Sequence, residues 1–237
     1  MVTLKYKNQT IANHKINQLM REGISMKEKF NEILKIFIIF IIGSIIGYIV
    51  EMLVALVQEG HFESRQGVLY GPFTPVYGIG IIVFYIFFTI IKTRNKAKIF
   101  IISMLLGGIT EYLCSYIQEK VFGTISWDYS NWIFNINGRT TLIHCSYWGV
   151  AGILYTSYIE PLIPKIKDFI QKSSMKLATS ILLILMIFNI SISSMAAIRQ
   201  KERQDNIPPE NKLESFIDTH YPDEYMNIIF ANKKDVV

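Results

Sequence analysis

Five stretches of this 237-residue chain, roughly 34–57, 76–91, 99–117, 141–159 and 177–198, are almost wholly apolar. An α-helix needs about 20 apolar residues to cross a hydrocarbon core of about 30 Å. Five runs of that kind are too many to be the buried core helices of one small soluble protein. The expected fold class is therefore an all-α integral membrane protein with about five transmembrane helices. The second run is short and begins inside the Pro/Gly-rich segment that precedes it. Composition agrees, at 51% hydrophobic and only 18% charged residues.

Lys and Arg in the loops give the expected orientation. Seven basic residues (Lys5, Lys7, Lys15, Arg21, Lys27, Lys29, Lys35) precede or enter the first run, against Arg65 alone in the loop that follows. Segment 92–98 carries four, 118–140 two, and 160–176 four. This alternation places residues 1–33 in the cytoplasm as a basic segment, 34–198 in the membrane, and 199–237 outside as a tail. The first 33 residues lack an apolar stretch directly after Met1, so the first span rather than a cleaved signal peptide is expected to direct insertion. The net charge of +5 thus belongs to basic loops against the membrane, and a nucleic-acid partner is not expected. Cys114 and Cys145 fall within spans as small buried residues.

The chain also repeats itself. Shifted by 60 residues, "IFIIGSIIGYIVEMLVALVQEGHF" (39–62) aligns with "IFIISMLLGGITEYLCSYIQEKVF" (99–122) without a gap, and eleven of the 24 positions are identical. The shared pattern is G-x-x-x-E-x-L-x-x-x-x-Q-E-x-x-F. We read it as two parallel two-helix repeats, about 34–91 and 99–159, followed by a fifth span. Repeats of this kind occur in transporters, with the site at their interface.

The repeat contains a carboxylate in each copy, Glu51 and Glu111. A charge near a bilayer centre costs roughly 2.5 to 3.5 kcal/mol on insertion scales, so such a residue faces protein or a water-filled cavity. Positions four and seven apart share a helix face. Gly43, Gly47, Glu51, Ala55 and Gln58 therefore line one stripe, and Ser103, Gly107, Glu111, Ser115 and Gln118 its counterpart. Small residues every fourth position let helices approach closely in lipid, so Glu51 and Glu111 are expected near one another. Glu51 lies about 9 Å from the outer end of its helix, in the outer leaflet. Two readings stand. The carboxylates lock helix packing, or they form a polar site open to the outside.

The outer loops carry the remaining polar candidates. "HFESRQGVLYGPFTPVYGIG" (61–80) is too rich in Gly and Pro for a long helix before about Tyr77, and a re-entrant or tightly packed loop is expected. In "WDYSNWIFNINGRTTLIHCSYWG" (127–149), Trp127, Tyr129 and Trp132 fit an interfacial aromatic belt, and Asn137-Gly138 signals a hairpin turn. If the loops fold back, Arg65 and Arg139 reach Glu51 and Glu111. His61 and His144 lack a metal-ligand spacing with the carboxylates, and no phosphate loop, dinucleotide fingerprint or nucleophile elbow is present. Neither metal, cofactor nor enzymatic activity is expected.

"GYIVEM", "GVLYGPFTPVYGIG", "WDYS" and "NGRTTL…WG", in that order, closely resemble the family of ABC transporter permeases of type IV, called CmpB-like, over about residues 35–200. The motif positions are Gly71, Pro72, Pro75, Tyr77, Gly78, Trp127, Asp128, Tyr129, Gly138, Trp148 and Gly149, besides Glu51, Glu111 and Arg139. The resemblance implies a small permease subunit and carries no catalytic residues. A permease without its own phosphate loop needs a separate ATPase. "EPLIPKIKDFIQKSSMK" (160–176), with Leu162, Ile166, Phe169 and Ile170 on one face, is the best candidate for the docking element, and reads equally well as a solvated or interfacial amphipathic linker. Five spans are few for a pathway, which favours a homo-oligomer. The tail carries Leu213, Phe216, Ile217, Tyr225, Ile228 and Ile229, enough for a short amphipathic helix against the membrane or the outer loops.

Overall fold

The computed structural model describes residues 2–236, with side chains from Ser25 onward except that of Asp235. Lys5, Lys7, Lys15 and Arg21, on which part of the orientation rests, lie outside the described side chains. Every apolar run is helical. They become α1 (Val2–Glu59), α2 (Pro75–Ile91), α3 (Lys96–Phe122), α4 (Leu142–Leu154) and, after α5 (Ile163–Gln171), α6 (Ser173–Gln204). Three helical stretches are long and apolar enough to cross a membrane: Ser25–Glu59 of α1, α3 and α6. Helix α2 is apolar but has 17 residues. Helix α4 has 13 and is prolonged by a π-helical turn, Tyr155–Ile159.

Local chemistry sets the boundaries. Pro75 opens α2, where its missing N–H costs nothing. Lys92, in the left-handed conformation, closes it. The Asn95 side chain then caps α3 by accepting from the Lys98 amide at 3.0 Å. Gly123 at φ +65° ends α3, and Thr141 caps α4 by accepting from the His144 amide at 3.1 Å.

Helices α1 and α2 form one antiparallel hairpin and α3 and α4 a second. Leu34, Ile39, Phe84, Phe88, Ile99, Trp148, Tyr155, Ile166 and Ile170 make one continuous core across both hairpins and α5. The apolar face expected in 160–176 is therefore half used. Ile166 and Ile170 are buried in the core, while Leu162 and Phe169 stay 40% and 43% exposed.

The chain has two distinct ends. At one, Arg94 pairs with Glu160 at 2.8 Å, and the Lys176 ammonium lies 5.1 Å from the centre of the Phe30 ring. At the other, loops 60–74 and 123–141 meet the tail. The tail holds two short helices rather than one, α7 (Lys212–His220) and α8 (Asp223–Ile229). Both sit on α6 and on loop 60–74. Leu69, Ile192, Ala196, Ile217, Tyr221 and Met226 form a second core there. Strand β1 (Thr124–Ile125) pairs with β4 (Lys234–Asp235), tying the tail to the second loop as well. Strands β2 (Asn135–Ile136) and β3 (Thr140–Thr141) make the hairpin that Asn137-Gly138 signalled, with both turn residues at positive φ.

Candidate functional site: two carboxylates between helical hairpins

The site starts from glycines. Gly43 packs on Tyr77 and Gly78, where an added Cβ would lie 3.0 Å from the Tyr77 carbonyl oxygen. One turn on, Gly47 lets the Tyr77 ring lie directly against α1, and one turn further Glu51 accepts a short hydrogen bond from the Tyr77 hydroxyl. The second hairpin is built the same way. Gly107 lets the Trp148 ring lie against α3. One turn further Glu111 accepts from Thr140 Oγ1 at 2.6 Å and from the Tyr129 hydroxyl at 3.3 Å. Glu51 is half-buried and Glu111 buried.

The correspondence runs the length of the hairpins. A Cβ on Gly78 would lie 2.6 Å from the Phe40 ring, and one on Gly149 would lie 2.7 Å from the Phe100 ring. Near the outer ends Arg65 pairs with Glu59 at 2.5 Å, and Arg139 pairs with Glu119. Phe40 and Phe100, Gly47 and Gly107, Glu51 and Glu111, and Glu59 and Glu119 are each sixty residues apart. Tyr77 and Trp148 then stack on one another, ring centroids 5.3 Å apart and planes 30° off parallel. Glu51 holds the hydroxyl of one ring of that stack, and the other ring packs on Gly107, one turn from Glu111.

The arginines correct one expectation. Neither forms an ion pair with Glu51 or Glu111 among the described contacts. Arg65 binds Glu59 and, at 2.8 Å, Glu63; Arg139 binds Glu119 and the Ser115 hydroxyl at 3.2 Å. The spacing explains this, because Glu59 and Glu119 stand two turns nearer the loops and meet the guanidiniums first. Half-buried Glu51 and buried Glu111 are left to hydroxyl donors. The stripe also frays at its outer end. Gln118 donates to Ser126 Oγ at 2.9 Å, whereas Gln58 is exposed.

The aromatic belt is likewise only partial. Trp127 turns inward to donate to the Arg139 carbonyl at 2.8 Å, and Tyr129 turns inward to Glu111. Asp128 accepts from the Ser130 amide and hydroxyl at 2.9 and 2.6 Å, which holds its carboxyl below the usual carboxylate range. A Cβ on Gly138 would lie 2.8 Å from that carboxylate, at a left-handed φ of +68°. In the first loop the Gln66 amide donates to the Gly71 carbonyl at 2.7 Å, and Thr74, before Pro75, donates to the Arg65 carbonyl at 2.8 Å. Pro72 lies in this tightly tied turn.

Two site-shaping residues escaped the sequence reading. Asn189 on α6 accepts from the Tyr70 amide at 3.1 Å and donates to the Tyr70 carbonyl at 2.7 Å. Ser193, one turn later, accepts from the Leu69 amide at 2.8 Å. They satisfy the backbone of the first loop where it packs on α6. An Asn inside an otherwise apolar span was the available signal.

Glu59, His61 and Glu63 bring ligand atoms within 4.8 Å of one another, but the Arg65 guanidinium already occupies both carboxylates. At Glu51 and Glu111 the chemistry on offer is acceptance of a proton or neutralisation of a cation, framed by Tyr77, Tyr129 and Trp148. A profile of the family described as "Putative ABC-transporter type IV" matches residues 38–194, well over half of the chain. No curated protein and no solved structure matches it.

Proposed function

The chain belongs to the ABC-transporter type IV family, and we propose that it is the membrane subunit of a permease whose outward-facing polar site is the Glu51–Glu111 pair. Its family and its long apolar helices make it a multi-pass membrane protein. In this reading α1, α2, α3, α4 with its π-helical turn, and α6 all cross. The N-terminus is then cytoplasmic, and the tail lies outside with loops 60–74 and 123–141. The tail's attachment to both of those loops supports an odd number of crossings. The observation that carries the reading is the repeated contact set of the two hairpins. Duplicated halves that meet at one polar pair are the arrangement transporters use for alternating access.

A separate ATPase would dock at the cytoplasmic end. Exposed Leu162 and Phe169, with Ile38, Lys165 and Ile166, line an open groove of about 320 Å³ there. Mass spectrometry of partners captured with the tagged chain from native membranes tests this. A stoichiometric nucleotide-binding subunit, lost in Leu162→Asp and Phe169→Asp, supports the reading. Self-association alone would defeat it.

A second reading rests on a specific observation as well. Glu111 is buried with two hydroxyls already donating to it, as in a carboxylate that serves only to lock α3 against α4. Under that reading the protein is a non-transporting structural or regulatory membrane protein. Glu111→Gln would then change its melting temperature and nothing else.

A further inference from the structure

We propose that the tip of the second outer loop, Ile133 and Phe134, is a membrane anchor that lies among the lipid acyl chains of the outer leaflet. The proposal rests on α3 and α4 being membrane crossings. Depth is fixed by hydrogen bonds from the hairpin to α3. Thr140 meets Glu111, Asn137 Nδ2 meets the Tyr112 hydroxyl at 3.0 Å, and Arg139 meets Ser115. With Lys98 at the inner boundary, about 20 residues of α3 at 1.5 Å each reach the outer boundary near Gln118. Glu111 and Ser115 are then inside the outer leaflet, and so is the hairpin beside them.

Phe134 is tied to the same level. Its carbonyl accepts from the amide of Leu142, the first residue of α4, at 3.4 Å. Ile133 and Phe134 are 76% and 74% exposed, although the hairpin's other face is fastened to protein. Phe134 holds a left-handed φ of +57°, which a bulky side chain avoids unless its surroundings impose it. Asn135 imposes it by donating to the Ser130 and Trp132 carbonyls at 3.1 and 2.9 Å. The turn thus satisfies its own carbonyls, as backbone near lipid must. Exposed Trp132 beside the tip and exposed Tyr147 on α4 flank the half-buried His144 ring, their centroids 5.3 and 5.6 Å from it. That adjacency to an exposed span surface points to lipid as the occupant.

Nitroxide labels at Phe134→Cys and at Leu105→Cys, in a Cys114→Ala/Cys145→Ser chain held singly in nanodiscs, test it. Leu105 is exposed midway along α3. At both positions oxygen should collide with the label several-fold more often than a water-soluble nickel chelate. Chelate access at 134 with lipid access at 105 overturns the anchor alone. Chelate access at both overturns the crossing as well. Shielding at 134 from both probes means that protein covers the tip, which also overturns the anchor. A photoreactive benzoyl-phenylalanine at position 134, with the native cysteines kept, gives an independent reading. A phospholipid adduct is expected, and an adduct to a second copy of the chain contradicts the proposal.

Discussion

Tyr77 joins the two halves of this molecule: its hydroxyl donates to Glu51 of its own hairpin while its ring stacks on Trp148 of the other, 5.3 Å between centroids. The two functions separate by substitution. Tyr77→Phe keeps the stack and removes the donor, with an expected loss of roughly 1–3 kcal/mol for an acceptor left without its partner. Tyr77→Ala removes both, and a loss of roughly 3–5 kcal/mol is expected from the emptied ring volume. Thermal unfolding in detergent ranks them.

The glycines that admit those rings should be intolerant in matched pairs. In Gly47→Ala and Gly107→Ala the new methyl runs into the Tyr77 and Trp148 rings. Overpacking of this kind costs roughly 1–3 kcal/mol. The equivalents Gly78→Ala and Gly149→Ala, against Phe40 and Phe100, should be comparable to each other. Melting temperatures of the four variants check the equivalence, which fails if one hairpin tolerates what the other does not.

Backbone satisfaction sets a third expectation. Asn189→Ala orphans both the amide and the carbonyl of Tyr70, whereas Ser193→Ala orphans only the Leu69 amide. At roughly 1–3 kcal/mol for each buried group left unpaired, Asn189→Ala should be the more damaging. Proteolysis within loop 60–74 should accelerate more in that variant than in Ser193→Ala.

The tail cap should depend on pH. Asp218 accepts from Arg199 at 2.6 Å and from Arg203 at 2.5 Å, and these arginines, Arg199 foremost, hold its carboxyl below the usual range. A depressed folded-state pKa gives stability that is fully present above the ordinary Asp value of about 3.9. It is lost as pH falls through the lower folded value. Protection of the α7 amides, taken relative to their intrinsic exchange rate at each pH, should therefore fall in acid, and in Asp218→Asn it should be low already at neutral pH with little further acid dependence.

The sequence made some of this legible and not the rest, for physical reasons. Helix positions followed from apolar run length, and the close packing at Gly43, Gly47 and Gly107 followed from the small-residue stripes. The hairpin followed from Asn137-Gly138, whose left-handed conformations few other residue pairs accept. Arginine pairing was misassigned because sequence shows which charges are near a loop but not which lies first in reach. The clamp by Asn189 escaped because it joins residues more than 100 positions apart, and no local pattern encodes such a contact; the tail's apolar residues suggested packing on the loops but not that Leu69 would receive them.

The account stands or falls on whether the carboxylate pair works or only packs. ATP hydrolysis by the complex with the proposed ATPase subunit, reconstituted in nanodiscs, should be compared between the native chain and Glu51→Gln/Glu111→Gln, with melting measured on the same samples. We expect the variant to melt within a few degrees of the native chain while its hydrolysis changes by roughly tenfold, the size of a coupling of about 1.4 kcal/mol. Unchanged hydrolysis in a folded variant, or loss of folding with no separable effect on hydrolysis, would contradict it.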